Sequence, residues 1–302
     1  MSRLRIEHTT VYHYRRPVIF GQHRLVLRPR EGHDLHVDSM ALRISPEYHL
    51  VWARDVYSNS VAIVDFLETA TKLEFRSIVT VVRSLPFPLP PGKEEAMTPL
   101  PVEYDVLETP VAAVYQTVSY ADDLHDVRSW LQSFPELTKS NDAETTLNGL
   151  CAHIADTIKY QRRYAKGVQT PSQTLKLGTG SCRDVATLMM EAARSLGLAA
   201  RFVSGYLDCP ASEAGRASMH AWTEVYLPVV GWKGYDPTLG EPASLKHILV
   251  AVSHHPRGVM PVSGLFTGAP ADFIEMVAQV KIEHLDEQIH DPVTSVIPST
   301  SR

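Results

Sequence analysis

Three residues whose types could carry nucleophilic catalysis follow one another in the second half of the chain: Cys182, His220 and Asp236. Cys182 ends the stretch GTGSC and begins a segment with helical periodicity. The N–H groups in the first turn of a helix have no partner within it, and together with the helix dipole they favour an anion. A thiol at this point is therefore placed to react as a thiolate, and the same N–H groups could bind an oxyanion. A structural cysteine at a helix start is the alternative that this stretch leaves open.

The stretches HAWTEVYL and GWKGYDPT alternate like two strands joined by a short turn. If Leu227 pairs with Gly231, Asp236 lies opposite Trp222 and one diagonal step from His220. Diagonal neighbours are roughly 7–8 Å apart, so an imidazole and a carboxylate can meet there. The spacing predicts a His–Asp pair that orients a general base for the thiol. Taken singly, the histidine could be an ordinary polar strand residue, and the aspartate before a proline could be a turn residue.

Neighbouring residues suggest supporting roles. Arg183 and Asp184 directly follow the cysteine, and we expect them to form a local ion pair that holds the helix start, or Asp184 to complement the helix dipole. Tyr160 and Gln161 are candidates for a second oxyanion donor. The small-residue loop 208–218 borders the histidine strand and could line a substrate cleft.

Periodicity along the chain predicts four regions. Residues 1–85 alternate like short antiparallel strands and predict a β-sandwich-like N-terminal domain. Residues 86–110 are dense in proline and read as a linker. Residues 111–285 combine helical and strand patterns and form the expected catalytic domain, with further strands at its C-terminal end. Residues 286–302 are polar and are expected to form a loose tail.

Two amphipathic helices are the clearest elements of the expected catalytic domain. Asp142 can cap the first, and the buried face of this helix gives Cys151 an ordinary place in the core. The second begins at Cys182 and is expected to stop at Gly197. Trp222 shares the strand face of His220 and could either shield the imidazole from water or pack in the core.

Composition narrows the functional class. With 44% hydrophobic and 21% charged residues, the chain of 302 residues reads as an ordinary globular protein with a sizeable core. Its net charge of −5 gives no basic surplus for nucleic acid or an anionic membrane. Its apolar runs are too short to span a bilayer, and its first residues lack the apolar region of a signal peptide. Three widely spaced cysteines are typical of free thiols in the cytoplasm.

The stretches GTGSCRDVATLMMEAARSLGLAARFVSGY and HAWTEVYLPVVGWKGYDPT, in this order, resemble the transglutaminase-like superfamily, and within it bacterial transglutaminase-like cysteine proteases. The start, LRIEHTTVYHYRRPVIFGQHRLVLRPRE, is similar to the β-rich N-terminal region of those proteins, and KHILVAVSHHPRGVMPVSGLFTG is similar to the segment after their aspartate. The resemblance extends from Leu4 to about His284. Val229 or Val230 stands where many relatives have glycine, which concerns only the turn.

The resemblance implies an α+β, papain-like fold in which the nucleophile helix packs on an antiparallel sheet. It also implies Cys182 as the nucleophile, His220 as the base and Asp236 as the orienting carboxylate. The resulting prediction is a cysteine-dependent amide-bond hydrolase that acts on a peptide or protein through a thioester acyl-enzyme, without cofactor or metal.

Alternatives to hydrolysis remain open. Acyl transfer to an amine uses the same three residues, but the sequence lacks the acidic clusters of a calcium-regulated transamidase. A non-catalytic protein-binding module on the same scaffold would have no need of all three residues. A metal hydrolase could use Cys182 and His220 with His247, His254 or His255, although no paired-ligand motif such as C-x-x-C supports it. An edge strand of the N-terminal unit could also pair two copies as a homodimer.

Overall fold

Two facing antiparallel sheets form the N-terminal unit. The computed structural model describes residues 2–84, 97–135, 139–163, 165–209, 219–228 and 230–285. The first six strands are β1 (Ser2–Phe20), β2 (His23–Leu25), β3 (Leu35–Ser45), β4 (Tyr48–Arg54), β5 (Ser60–Phe66) and β6 (Ala70–Arg83). One sheet contains β1, β6 and β3, and the other contains β2, β5 and β4. Their inward side chains meet in a cluster that includes Val18, Leu25, Val64 and Phe75, because alternate strand residues point to one face. The sandwich-like unit predicted from alternation is confirmed.

A third antiparallel sheet follows in the chain, together with five α-helices that lie wholly within the described residues. The helices are α1 (Thr109–Gln116), α2 (Leu124–Gln132), α3 (Ala143–Thr157), α4 (Pro171–Leu177) and α5 (Cys182–Ser195). The strands are β7 (Lys159–Tyr160), β8 (Thr179–Gly180), β9 (Ala200–Leu207), β10 (Met219–Leu227), β11 (Gly231–Asp236), β12 (Glu241–Pro242) and β13 (His247–Ser253). The sheet order is β12-β11-β10-β9-β13, and α5 packs against β9 and β10. This helix-on-sheet arrangement is the expected α+β core.

Helix α5 buries one face and ends where the sequence predicts. Val185, Leu188 and Met189 lie at helical spacing and are all buried in the core. Gly197 follows the helix with a φ of 83°, in the left-handed region that glycine adopts without strain. The helix therefore begins at the expected nucleophile and packs its apolar face against β9 and β10.

The hairpin of β10 and β11 has the predicted register. Leu227 pairs with Gly231, and Thr223 pairs with Tyr235. The same register places Asp236 opposite Trp222, one diagonal step from His220, as the pattern of the two strands indicates. Residue 229 in the connecting turn lies outside the described residues.

The C-terminal strands pair differently from the expectation. We assigned residues up to 285 to the catalytic domain, yet β14 (Val262–Ser263) pairs with β2, β15 (Phe266–Thr267) pairs with β1, and β16 (Phe273–Leu285) pairs with β1 over twelve residue pairs from Arg3 to Tyr14. Strand alternation shows which face of a strand is buried but does not identify its partner, so the pattern does not predict that these strands pair with β1 and β2. The chain thus returns from the core to complete the N-terminal sheets.

The two units share one continuous hydrophobic core. Leu4 and Ile6 of β1 belong to the same buried cluster as Ile154 of α3 and Leu188 of α5. The described part of the proline-rich segment also contacts the core, since Leu100 and Val102 pack against the same buried cluster. Residues 86–96 of that linker and the expected loose tail, residues 286–302, lie outside the described residues. Within the described ranges, no helix is both long and apolar enough to cross a membrane.

Candidate active site

Two glycines let the chain enter α5 at Cys182. Gly178 closes the preceding helix with a φ of 62°, a left-handed conformation. A Cβ on Gly180 would lie 3.0 Å from the Asp184 Cβ, so the close approach favours glycine. The thiol of Cys182 is then the first side chain of a fourteen-residue helix and is partly exposed. The helix dipole and the N–H groups of the first turn act at this point.

Asp184 fixes the start of α5, but through a different partner from the expected one. Its buried carboxylate accepts hydrogen bonds from the N–H of Ser181 at 2.8 Å, the hydroxyl of Ser181 at 2.7 Å and the N–H of Gln169 at 2.7 Å. Its ion-pair partner is Arg163 at 2.8 Å, so the predicted pairing with Arg183 is wrong. Consecutive residues of a helix do not face each other, which is the physical reason.

His220 and Asp236 form a buried hydrogen-bonded pair. The His220 Nε2 lies 2.6 Å from the Asp236 Oδ2, with the two residues 7% and 0% exposed. Asp236 Oδ1 accepts the N–H of Thr238 at 2.9 Å, so both carboxylate oxygens are held. A carboxylate only accepts, hence His220 Nε2 carries the proton and donates it. The hairpin register brings together the two residues that the sequence predicts as a pair.

Burial and charge act in opposite directions on this pair. Burial alone lowers the pKa of His220, but hydrogen bonds to Asp236 and Cys182 and the charges of the same groups raise it to about 10. Burial alone raises the pKa of Asp236, but hydrogen bonds from His220 and His247 bring it well below its usual range. A charged imidazolium and a charged carboxylate therefore stabilise each other inside the protein.

A hydrogen bond and a charge interaction with the Cys182 thiol both raise the pKa of His220. The thiol therefore lies beside the imidazole ring. Since Nε2 is engaged by Asp236, the nitrogen left for the thiol is Nδ1. The three residues singled out in the sequence thus meet at one point, at the end of α5 and of the hairpin. In this arrangement the Cys182 thiol can give its proton to His220 Nδ1, while Asp236 holds Nε2 on the other side of the ring.

Tyr160 and Gln161 lie beside the segment that leads into α5. Strand β7 runs parallel to β8, pairing Tyr160 with Gly180, and the Gln161 N–H donates to the Gly180 carbonyl at 2.8 Å. Burial raises the pKa of Tyr160, and the charge of Cys182 raises it further, so the two side chains interact electrostatically. Tyr160 is 49% exposed to solvent. Of the expected cleft loop 208–218, residues 210–218 lie outside the described residues.

His247 and Trp222 complete the surroundings of Asp236. The His247 Nε2 lies 3.0 Å from the same Oδ2 that His220 contacts. Trp222 is buried, with its ring stacked 6.3 Å from the His220 ring and edge-on at 5.0 Å from the His247 ring. Trp222 therefore fills the core beside both imidazole rings. The sequence suggests His247 only as a metal ligand, and no local pattern predicts its contact with Asp236.

A metal site is poorly supported by the geometry. His220, Asp236 and His247 are the single group of potential ligands found among the described residues, with ligand atoms within 4.8 Å of one another. The Nε2 atoms of His220 and His247 both lie at hydrogen-bond distance from Asp236 Oδ2, so hydrogen bonds to the carboxylate account for the arrangement. Cys182, His254 and His255 do not belong to this group.

Comparison with known proteins agrees with the fold. Residues 4–82 match the model of the bacterial transglutaminase-like N-terminal region, and residues 134–237 match that of the transglutaminase-like superfamily. A solved structure from Cytophaga hutchinsonii, named "a Putative Cysteine Protease", superposes with a TM-score of 0.72 at 16% identity, covering 95% of this chain and 91% of that one. At this identity the likeness shows the fold alone.

Two curated relatives are mycobacterial. The uncharacterized protein ML0607 of Mycobacterium leprae is 31% identical over 105 residues, which are 33% of this chain and 37% of that protein. The uncharacterized protein Rv2569c of Mycobacterium tuberculosis is 30% identical over 141 residues, which are 42% of this chain and 45% of that protein. The matched stretch thus spans less than half of each relative. The two family models match in the expected order: residues 134–237 belong to the transglutaminase-like superfamily, and residues 4–82 are a bacterial transglutaminase-like N-terminal region.

Proposed function

We propose that this protein is a cysteine-dependent amide-bond hydrolase with Cys182 as nucleophile, His220 as general base and Asp236 as the orienting carboxylate. The observation that carries the proposal is the buried His220–Asp236 hydrogen bond of 2.6 Å beside the first residue of α5. A nucleophile, a base within reach and a third group that orients the base are the components that covalent catalysis needs.

Acylation follows from this order of groups. His220 Nδ1 takes the thiol proton, and Cys182 Sγ bonds to the carbonyl carbon while the carbonyl electron pair moves to oxygen. The backbone N–H of Cys182 in the first turn of α5 donates to that oxyanion. The oxyanion then reforms the carbonyl, the C–N bond breaks, and His220 gives its proton to the departing amine. The product is a thioester on Cys182.

Deacylation reverses the roles with water. His220 takes a proton from water, the hydroxide adds to the thioester carbon, and the C–S bond breaks to release a carboxylic acid and the thiol. An amine in place of water would give an amide, which is the transglutaminase reaction. Once a substrate is found, added hydroxylamine distinguishes the two, because a transferase yields hydroxamate in preference to acid.

Tyr160 is the candidate for the second oxyanion donor. Tyr160 interacts electrostatically with Cys182 and is half exposed, whereas the Gln161 N–H already donates to Gly180. A phenol donates one hydrogen bond and can turn toward an oxyanion at the helix end. Gln161 contributes by holding β7 against β8, so that Tyr160 stays beside Cys182.

The substrate class and location follow from the same proposal. We propose a peptide or protein amide as the substrate, because the mechanism breaks a C–N bond at a carbonyl and the Cys182 thiol is partly exposed to receive it. We place the protein in the cytoplasm because Cys151 and Cys182 keep free thiols. Pairing of two copies through an edge strand stays a prediction, and so does the role of the N-terminal unit in binding substrate.

The test is the pH dependence of iodoacetamide alkylation at Cys182, measured by mass spectrometry relative to free N-acetylcysteine in the same tube. We expect the wild type to react well below about pH 8.5, where a free thiol is mostly protonated. This is because the pKa of His220, raised to about 10, keeps the ring protonated beside the thiolate. His220→Ala should remove this advantage, whereas His49→Ala, at an exposed position of β4, should keep it.

Two outcomes decide the proposal. A wild-type advantage that depends on His220 justifies a screen of peptide amides for acid and hydroxamate products. If Cys182 follows N-acetylcysteine at every pH and ignores His220→Ala, the hydrolase proposal fails, and the fold should be tested as a protein-binding module.

A further inference from the structure

One oxygen of the buried Asp236 carboxylate serves two imidazole rings. Oδ2 lies 2.6 Å from His220 Nε2 and 3.0 Å from His247 Nε2, while Oδ1 accepts from the Thr238 N–H at 2.9 Å. Asp236 is 0% exposed, so water does not replace any of these donors. The carboxylate of the proposed triad therefore has three fixed donors, of which the proposed mechanism uses only His220.

The hydrogen bonds of His247 fix its protonation. The Ser244 N–H donates to His247 Nδ1 at 3.0 Å, so this nitrogen is an acceptor and carries no proton. The proton is then on Nε2, which points at Asp236 Oδ2. His247 is a neutral donor to the carboxylate and leaves the carboxylate charge available to the imidazolium of His220.

The fold holds the His247 ring firmly. Its side chain is 3% exposed and lies edge-on to Trp222 at 5.0 Å between ring centres. The segment before it crosses from β11 to the end of β9, because the Ala243 N–H bonds to the Gly234 carbonyl and the Lys246 carbonyl accepts from the Asp208 N–H. This crossing brings a residue of β13 to a carboxylate of β11, although β10 and β9 lie between those strands in the sheet.

We propose that His247 is a positioning residue for the His220–Asp236 pair, an inference that rests on the proposed hydrolase function. Thr238 fixes one oxygen and His247 fixes the other, so the carboxylate does not rotate away from His220. A fixed Oδ2 fixes the His220 ring and hence aims Nδ1 at Cys182. In this role His247 acts through Asp236 and not on the thiol or the substrate.

Cys151 is a titratable neighbour of Asp236 that stays in one form over the range of the test. Its thiol donates to the Glu241 carbonyl at 3.6 Å, and burial together with the charges of Asp236 and Glu241 raises its pKa to about 12. It remains a neutral thiol while Cys182 is titrated. Changes in the alkylation profile can therefore be assigned to the Cys182–His220–Asp236 unit.

Three variants separate hydrogen-bond donation from packing. His247→Gln keeps a donor near the position of Nε2, His247→Leu has similar bulk without a donor, and His247→Ala removes both. The readout is the alkylation rate of Cys182 against pH, relative to N-acetylcysteine, together with a thermal melting curve for each variant. None of these measurements needs a known substrate.

We expect His247→Leu and His247→Ala to lower the alkylation rate near neutral pH by about tenfold, the worth of one hydrogen bond to a charged group. The pH midpoint should move upward by about one unit, since a tenfold change corresponds to one pH unit. His247→Gln should restore most of the wild-type rate and midpoint. This pattern would not arise from packing, because leucine fills the site as well as glutamine.

The other outcomes overturn the inference. If the leucine variant reacts like the wild type, or if leucine and glutamine behave alike while both melt normally, His247 only fills space. If His220→Ala changes Cys182 reactivity but no His247 variant does, the positioning role fails and the hydrolase proposal stands. If His220→Ala itself has no effect, the proposed function fails first.

Discussion

His220 has one ring nitrogen for each of its two partners, and this division determines what the residue can do. Nε2 donates to Asp236, which leaves Nδ1 to exchange a proton with Cys182. Because the pKa of His220 is raised to about 10, the ring holds its proton across neutral pH while the thiolate forms. Alkylation of the thiol needs only this ion pair, whereas amide cleavage also needs oxyanion donors. The two reactions can therefore report on different residues.

Tyr160→Phe should separate the two reactions. The change removes the phenol near Cys182 but leaves the strand pairing of β7 with β8, so the ion pair stays intact. We expect the kcat for an amide substrate to fall by about tenfold or more, because one oxyanion donor is lost. The alkylation profile of Cys182 should stay unchanged, since alkylation develops no oxyanion.

The matched control is Tyr48→Phe, which removes a phenol from β4 in the N-terminal unit. It should leave both kcat and alkylation at wild-type values. Equal kcat for Tyr160→Phe and wild type would assign the second oxyanion donor to another group. A change in the alkylation profile would instead show that Tyr160 acts on the thiol itself.

At the scale of single elements, the start of α5 depends on one buried carboxylate. Asp184 accepts from Ser181 and Gln169 and pairs with Arg163, so it ties the helix to the segment that follows β7. Asp184→Ala leaves these donors and the guanidinium without their acceptor. We expect the free energy of unfolding, measured by urea denaturation, to fall by about 3–5 kcal/mol.

Glu144→Ala provides the comparison for Asp184→Ala. Glu144 pairs with Lys233 at the protein surface, and an exposed pair contributes about 1 kcal/mol or less. Similar losses in the two variants would show that the α5 start does not depend on the Asp184 carboxylate. The alkylation rate of Cys182 in Asp184→Ala then tells whether a misplaced helix start also disturbs the thiol.

Local patterns predicted the elements of the site better than their long-range partners. The periodicity of α5 and the two strands of the hairpin determine where Cys182, His220 and Asp236 lie, since each pattern is complete within about twenty residues. The return of β16 to β1 joins segments at opposite ends of the chain, and alternation contains no information on that pairing. The contact of His247 with Asp236 depends likewise on a chain crossing that no local pattern shows.

On the scale of the whole molecule, the N-terminal sheets and the core behave as one packed body. Asn59 of the N-terminal unit exchanges two hydrogen bonds with the backbone of Val252 in β13, at 2.8 and 3.0 Å. Arg83 pairs with Asp208 at 3.0 Å, at the end of β9. These contacts reach β13 and the residue directly after β9. Weakening them would therefore disturb the core sheet that contains His220.

His8 is the titratable group within this interface. It lies in β1, where Nδ1 contacts the Tyr206 hydroxyl of β9 at 3.2 Å and Nε2 contacts the Thr10 hydroxyl at 3.1 Å. Burial lowers the pKa of His8 to about 4, from 6.5 for an exposed histidine. The folded protein keeps His8 neutral, whereas the unfolded chain binds a proton below about pH 6.5. Stability from this residue is therefore complete above that pH and is lost as the pH falls toward 4.

His8→Gln should remove this pH dependence. Between about pH 6.5 and pH 4 the wild type should lose about 3 kcal/mol of unfolding free energy through His8, a loss that the variant does not share. The difference between the two proteins, measured by urea denaturation, should be largest at neutral pH and shrink in acid. His33→Gln, at an exposed position, should follow the wild type at every pH. If the unfolding free energies of the wild type and His8→Gln change in parallel with pH, the interface accepts a protonated His8. The contacts of neutral His8 with Tyr206 and Thr10 would then not hold the two units together in acid.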